Sequence, residues 1–264
     1  MARAAAAGGT GSAADFIPPR PTLPALRQAA RGCRGCHLYK LGTQTVFGEG
    51  PRGARVMIVG EQPGDQEDRA GHPFVGPSGR LLDQALERAG IRRDEVYVTN
   101  AVKHFKWEER GEKSARRIHK TPNAAEVRAC RPWLEHEIAL VKPDAIVCLG
   151  ATAAQALLGR DFRVTQQRGK PLRSDWARAV FATVHPSAVL RAPRDLRAES
   201  EAAFMADVAK VARWMAKEGL LELEEAPRAE REAKVARVVE PEATKKRPAR
   251  KRTTRTPSER RARS

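Results

Sequence analysis

The sequence predicts an α/β protein, a three-layer α/β/α sandwich around a central, mostly parallel four-stranded sheet. Three observations carry this expectation. Four short apolar runs, residues 55–59, 96–100, 145–149 and 179–184, each read as a strand buried on both faces. Amphipathic stretches with helical spacing separate them, the alternation that gives parallel sheets. Polar motifs lie at the carboxyl ends of three of the runs, Glu61-Gln-Pro-Gly64, Asn100 and His185-Pro-Ser187, where sheets of this kind hold ligands.

The elements follow in chain order. Residues 1–19 are rich in Ala, Gly, Ser and Pro, end in Pro18-Pro19, and are expected to be disordered. Folded patterning begins near Leu23. Arg55 to Val59, between Gly53 and Gly60, is the first strand. Ser78 caps a helix that carries Leu81, Leu82, Ala85, Leu86 and Ala89 on one stripe and stops at Gly90. Val96 to Asn100 is the second strand. Thr121 as cap and Pro122 at the first helical position open a helix to about Val141. Ala145 to Leu149 is the third strand, with a helix from Ala151 to Leu158. Ala179 to Val184 is the fourth, and a last helix runs from about Leu196 to Lys217. The domains expected are therefore a folded unit over 20–219 and a disordered, basic tail over 220–264.

With 264 residues, 41% of them hydrophobic, the chain can bury a sizeable core. The longest charge-free stretch, Ala145 to Gly159, is too short and too glycine-interrupted to span a bilayer. The first fifteen residues lack the apolar core of a secretory signal. The expectation is a soluble, monomeric, cytoplasmic protein with no membrane contact. The net charge of +17 points to a polyanionic partner. Residues 245–264 hold ten Lys/Arg and one Glu, a net +9 that leaves +8 for the other 244. Such a tail attracts phosphates without reading sequence, which places the protein with the nucleoid.

Four cysteines occur, Cys33 and Cys36 as C-x-x-C, then Cys130 and Cys148. In a reducing cytosol four thiols favour a metal site or free thiols over disulfides. Zinc and an iron–sulphur cluster both accept four thiolates, and the seventeen residues between the last pair suit a zinc ribbon poorly. Cys130 and Cys148 as simple buried hydrophobes is the competing reading.

Glu61-Gln-Pro-Gly-Asp-Gln-Glu-Asp68 places carboxylates and amides after a buried strand, with Pro63 and Gly64 shaping a turn; a solvated acidic loop is the plain reading. In residues 71–79, Phe74 can stack on a base or fill the core, and the helix start at Ser78 can hold a phosphate. Arg116, Arg117 and Lys120 surround His119, cheaply read as a phosphate-binding loop. Those cations also disfavour the imidazolium, so His119 is expected neutral and nucleophilic. His185 leaves the fourth strand ahead of Pro186-Ser187.

These motifs, C-x-x-C, G-E-Q-P-G-D, P-F-V-G-P-S-G, V-T-N, two further cysteines and H-P-S, occur in the order of the iron–sulphur uracil-DNA glycosylases, which the chain resembles over roughly residues 20–219. With R-R-I-H added, it resembles the UdgX subfamily, whose members cut uracil from DNA and join covalently to the abasic sugar. The resemblance implies a [4Fe–4S] cluster on Cys33, Cys36, Cys130 and Cys148, and uracil-containing DNA as partner. Phe74 would stack on the flipped uracil, and Asn100 would read its Watson–Crick edge. His185 would stabilise the leaving base, and Glu61 would favour positive charge on the sugar or orient His119. Gln62, Gly64 and Asp65 would complete the pocket. Ser78, Arg117 and Ser187 would contact DNA, and His119 would capture the sugar. Two alternatives stand beside this: an ordinary turnover glycosylase of the same fold, and a non-enzymatic nucleic-acid-binding module with structural zinc.

Overall fold

The computed structural model describes residues 11–109 and 117–221. A 3-10 turn, Ala13–Phe16, buries Ala13 completely, so ordered structure begins inside the segment expected to be disordered. Its other part, residues 1–10, and the basic tail from residue 222 lie outside the described residues.

α1 (Leu23–Ala30) is capped by Thr22, and a 3-10 turn follows at His37–Lys40. β1 (Val56–Gly60) leads into α2 (Asp65–Ala70) and α3 (Pro77–Arg88). β2 (Val96–Asn100) is followed by a short hairpin of β3 (Trp107–Glu109) and β4 (Arg117–His119). Then come α4 (Ala124–Val141), β5 (Ala145–Leu149), α5 (Ala151–Leu158) and α6 (Val164–Gln167). β6 (Leu172–Ser174), β7 (Ala177–Thr183), α7 (Pro186–Leu190) and α8 (Arg194–Lys217) complete the unit.

The main sheet has five strands in the order β2-β1-β5-β7-β6, not four. The first four are parallel, and the added strand β6 pairs antiparallel with β7 at the edge. Its three residues, Leu-Arg-Ser, are an edge strand too short and polar for an apolar-run criterion to find. One face packs Val56, Ile58, Val98 and Phe181 against α3, α7 and α8. The other packs Met57, Tyr97, Ile146 and Cys148 against α4 and α5. The three-layer expectation holds, with one more strand. Leu220 and Leu221 pack on the first of these cores, so the folded part runs slightly past residue 219.

Two helix starts differ from the expected ones. α3 is capped at Gly76 with Pro77 in the first turn, which puts Ser78 inside the helix. α4 starts at Asn123, whose side chain accepts from the amides of Ala125 and Glu126, while Glu126 returns a bond from the Asn123 amide at 2.6 Å. That reciprocal capping outcompetes the Thr121-Pro122 start. α2 replaces part of the expected acidic loop. Asp65, Glu67 and Asp68 sit in its first turn, where carboxylates favour the helix N-terminus, and Gly71 closes it at φ 78°.

One buried ion pair fixes the end of β2. Lys103 and Glu137 are both fully buried. The ammonium donates to Glu137, to Thr99 Oγ1 at 2.6 Å and to the Asn100 carbonyl at 2.7 Å, so all three protons are satisfied. Glu137 also accepts from Tyr97 Oη and the Gly48 amide, both at 3.0 Å. A charge pair is tolerated at such depth only when its remaining polar positions are filled in this way.

Candidate active site

The cleft lies beyond the carboxyl ends of β1, β2 and β7 and encloses about 390 Å³. Gly60 ends β1 and pairs in register with Asn100, which ends β2. A methyl group at Gly60 would lie 2.3 Å from Asn100 Oδ1 and 2.7 Å from Phe74 Cζ, so glycine there leaves room for both side chains. Among the described residues no hydrogen bond engages the Asn100 amide, which lines the cleft with donor and acceptor available. Phe74 is held in a left-handed conformation, φ 59°, rare for a non-glycine residue and associated with functional sites. Gly79 accommodates this, since a Cβ there would lie 1.6 Å from the Phe74 carbonyl oxygen.

Glu67 ties the loop between α2 and α3. One oxygen accepts from the Gly64 amide at 3.1 Å and the other from the Gly76 amide at 2.7 Å. Gly64, Asp65, Phe74 and Ser78 all line the cleft as a result.

His185 leaves β7 and caps α7. Its Nδ1 accepts from the Ser187 amide at 3.1 Å and lies 2.8 Å from Ser187 Oγ. An amide can only donate, so Nδ1 carries the lone pair and the neutral ring carries its proton on Nε2. Burial, reinforced by His119 and Arg191, holds the imidazole down to about 4. The group presented to the cleft is therefore a neutral N–H donor.

His119 ends β4, with Nε2 3.5 Å from Glu61 Oε1 and its ring 6.0 Å from that of Phe105. Its imidazolium is disfavoured first by loss of water around the ring, opposed by Glu61 and reinforced by Arg191. The expected neutrality holds in direction, but its expected cause does not. Arg117 is committed to Asp65 and to fully buried Asp68, the latter at 2.6 Å, and lies over the rings of Phe105 and Trp107. Lys120 pairs with Glu108 at 2.8 Å. Arg116 lies outside the described residues. Arg117, expected to contact DNA, is instead only one-tenth exposed and clamps the hairpin onto α2. Gln62 lines the cleft, with its amide turned to the backbone: it donates to the carbonyls of Lys106 and Lys120 and accepts from the Lys106 amide. That bridge ties the end of β1 to the residue after His119.

Sequence reasoning missed Arg191 and Thr152. Arg191 lines the cleft from the far end of α7, six residues after His185. Thr152, in the first turn of α5, donates its hydroxyl proton to Glu61 Oε2. Neither belongs to a recognisable motif.

The four cysteines do not come together as one set. Cys33 and Cys130 lie in a small core with Trp133 and Leu38, with Cys36 packed against it. Two N–H groups aim at these sulphurs: Trp133 Nε1 donates to Cys33 at 3.3 Å, and the Lys103 amide to Cys130 at 3.2 Å. Cys148 instead sits in β5 in the sheet core, beside Val59 and Ala182 on the neighbouring strands. Burial alone pushes its thiol up to about 12. The Cys36 and Cys130 thiols are also raised chiefly by burial, and each senses Cys33 as well. Cys148 is therefore corrected from candidate ligand to buried hydrophobe; Cys33, Cys36 and Cys130 share one small core, yet among the described residues no three His, Cys, Asp or Glu side chains are grouped as a metal site.

A buried histidine gives this unit an acid liability. His104 is 5% exposed, lies 2.9 Å from Thr45 Oγ1, and is held by burial to about 4. The unfolded ring takes up its proton near 6.5, so below that pH the unfolded state binds more protons and stability falls until about pH 4. The expected loss from this group is about 3 kcal/mol. Denaturant unfolding at pH 7 and pH 4.5 should show it, and His104→Asn should shrink the difference between the two. An equal pH difference in both proteins would refute the assignment.

Residues 47–209 match the Uracil DNA glycosylase superfamily. The chain is 36% identical over 195 residues to a Type-4 uracil-DNA glycosylase of Thermotoga maritima, covering 73% of this chain and 94% of that protein. A Type-4 uracil-DNA glycosylase of Pyrobaculum aerophilum is 40% identical over 178 residues, 65% of this chain and 86% of the relative. A Type-5 uracil-DNA glycosylase of the same organism is 30% identical over 184 residues, 63% and 76% respectively. With a cleft at the strand ends and a family match spanning more than half its length, the chain belongs to the uracil DNA glycosylase superfamily.

Proposed function

We propose that the protein excises uracil from DNA and then captures the abasic sugar on His119, as the UdgX subfamily does. The observation that carries this reading is a neutral imidazole at the cleft mouth, its Nε2 3.5 Å from a carboxylate, in the same cleft as Phe74, Asn100 and His185. The +17 charge suits a phosphate-backed substrate, and among the described residues no helix is long and apolar enough to cross a membrane.

The target nucleotide is flipped into the cleft at a cost of a few kcal/mol. Phe74 stacks on the base, and Asn100 pairs with its edge. The bond from C1′ to uracil N1 breaks, and its electron pair leaves with the base. The His185 N–H stabilises that charge at a uracil carbonyl, an electrostatic role of the oxyanion-hole type. Glu61 favours the positive charge left on the sugar, much as a carboxylate does in glycoside hydrolysis. The His119 lone pair then forms a bond to C1′. The alkylated ring loses its N–H proton to Glu61 or water, and uracil gains one, so protons balance. Incubation with uracil-containing DNA, followed by heating in detergent and a denaturing gel, tests this: a shifted band is expected with uracil and none with thymine.

Identity of up to 40% to Type-4 enzymes favours a second reading, ordinary turnover in which water takes the place of His119. An unshifted band with repeated uracil release would select it.

On the family resemblance, Cys33, Cys36 and Cys130 would hold a [4Fe–4S] cluster; the sulphurs of Cys33 and Cys130 each receive an N–H group, as thiolates require. Bound there, the cluster would hold the N-terminal elements against α4, since excision transfers no electron. Cys130→Ser is expected to lose most of the iron, and Cys148→Ser to retain it with only a small loss of stability. Iron content and visible absorbance read both. Equal loss in both variants would return Cys148 to the ligand set.

A further inference from the structure

Glu61 follows β1 directly, yet its carboxylate is held from another element. Oε1 faces His119 at 3.5 Å, while Oε2 accepts the hydroxyl proton of Thr152 in the first turn of α5. The turn that starts this helix is set against the cleft. Gly150 takes φ 91°, its amide donates to the Thr183 carbonyl at 2.9 Å, and a Cβ there would lie 3.2 Å from His185 Cβ. One short turn thus abuts His185 and grips Glu61.

We propose that Thr152 is a positioning residue whose hydroxyl fixes Glu61 in the rotamer that keeps its second oxygen on the His119 side of the cleft. The proposal rests on the roles given to Glu61 and His119 above. A glutamate has several rotatable torsions and, one-fifth exposed, this one has water within reach. With Oε2 tethered, Oε1 can neither swing to solvent nor turn away as charge develops on the sugar. Preorganisation of this kind is what distinguishes a catalytic carboxylate from a merely nearby one. The threonine hydroxyl has one proton, and it is donated to Glu61.

Thr152→Val keeps the β-branched shape and removes only the hydroxyl at a half-buried position. Under single-turnover conditions with protein in excess, the maximal rate of uracil excision is expected to fall by roughly 10- to 100-fold. The protein concentration giving half-maximal rate and the melting temperature should stay near wild type. Thr152→Ser should restore the rate to within about threefold, and Thr152→Val should add nothing in a Glu61→Ala background, because it acts through Glu61. A wild-type rate in Thr152→Val, no rescue by serine, or additive effects would overturn the proposal. Crystal structures of wild type and Thr152→Val separate this from failure of the functional reading. Glu61 should leave the His119 side in the variant even if neither protein cuts uracil, and an unmoved Glu61 would overturn the positioning role alone.

Discussion

His119→Ser protein should cut uracil from DNA repeatedly and release a free abasic strand, with no complex surviving heat and detergent. The substitution removes the only part of the proposed mechanism that ends turnover. Asn100, His185 and Phe74 still line the cleft, and Glu61 remains tethered to Thr152. The smaller side chain leaves space for water, which attacks C1′ as in an ordinary glycosylase. His119 lies at the end of a three-residue strand and is substantially exposed, so the fold should tolerate the change. Wild-type protein should instead show a burst of uracil equal to the protein present, then stop. Adduct formation should also persist in mild acid, since partial desolvation holds the ring neutral below its ordinary value of 6.5. A heat-stable complex from His119→Ser would move the nucleophile to another residue. Turnover by the wild type would favour the Type-4-like reading.

Much of this site was legible in the sequence because its residues leave the ends of strands that are themselves legible. The runs 56–60, 96–100 and 145–149 are mostly apolar and buried at every position, as strands covered on both faces must be. Glu61, Asn100 and His185 then fall at the carboxyl ends by simple counting. The hairpin that carries His119 was not legible. Trp107–Glu109 and Arg117–His119 are short and charged, and what orders their end is the Arg117 clamp on Asp65 and Asp68, a contact over about fifty residues. The same distance effect misassigned Arg117 itself: a run of cations reads as a phosphate loop until its acidic partners are found. Cys148 misled for a different reason. A cysteine in a buried strand and a candidate metal ligand look alike in one sequence, and it is the fold that sets Cys148 in the sheet core, apart from the small core that gathers Cys33, Cys36 and Cys130.

Gly60→Ala should disable base recognition while leaving the protein folded and able to hold undamaged DNA. Gly60 has an ordinary backbone conformation, so the need for glycine there comes from space and not from φ. The added methyl would lie 2.3 Å from Asn100 Oδ1 and 2.7 Å from Phe74 Cζ, and one of these must move. Phe74 cannot easily do so, because its left-handed backbone is packed against Gly79. The Asn100 backbone is pinned by the buried Lys103 ammonium, but its amide makes no bond among the described residues and gives way first. The expected cost to stability is about 1–3 kcal/mol from overpacking. The cost to excision should be larger, roughly 100-fold or more in the single-turnover rate, since a displaced amide can neither read the base nor share its developing charge. Affinity for a thymine-containing duplex should be unchanged, because the nearest atoms the added methyl meets all belong to Asn100 and Phe74. Excision at the wild-type rate would mean that the base does not lie against Asn100 and Phe74, and the arrangement proposed for the cleft would fall with it.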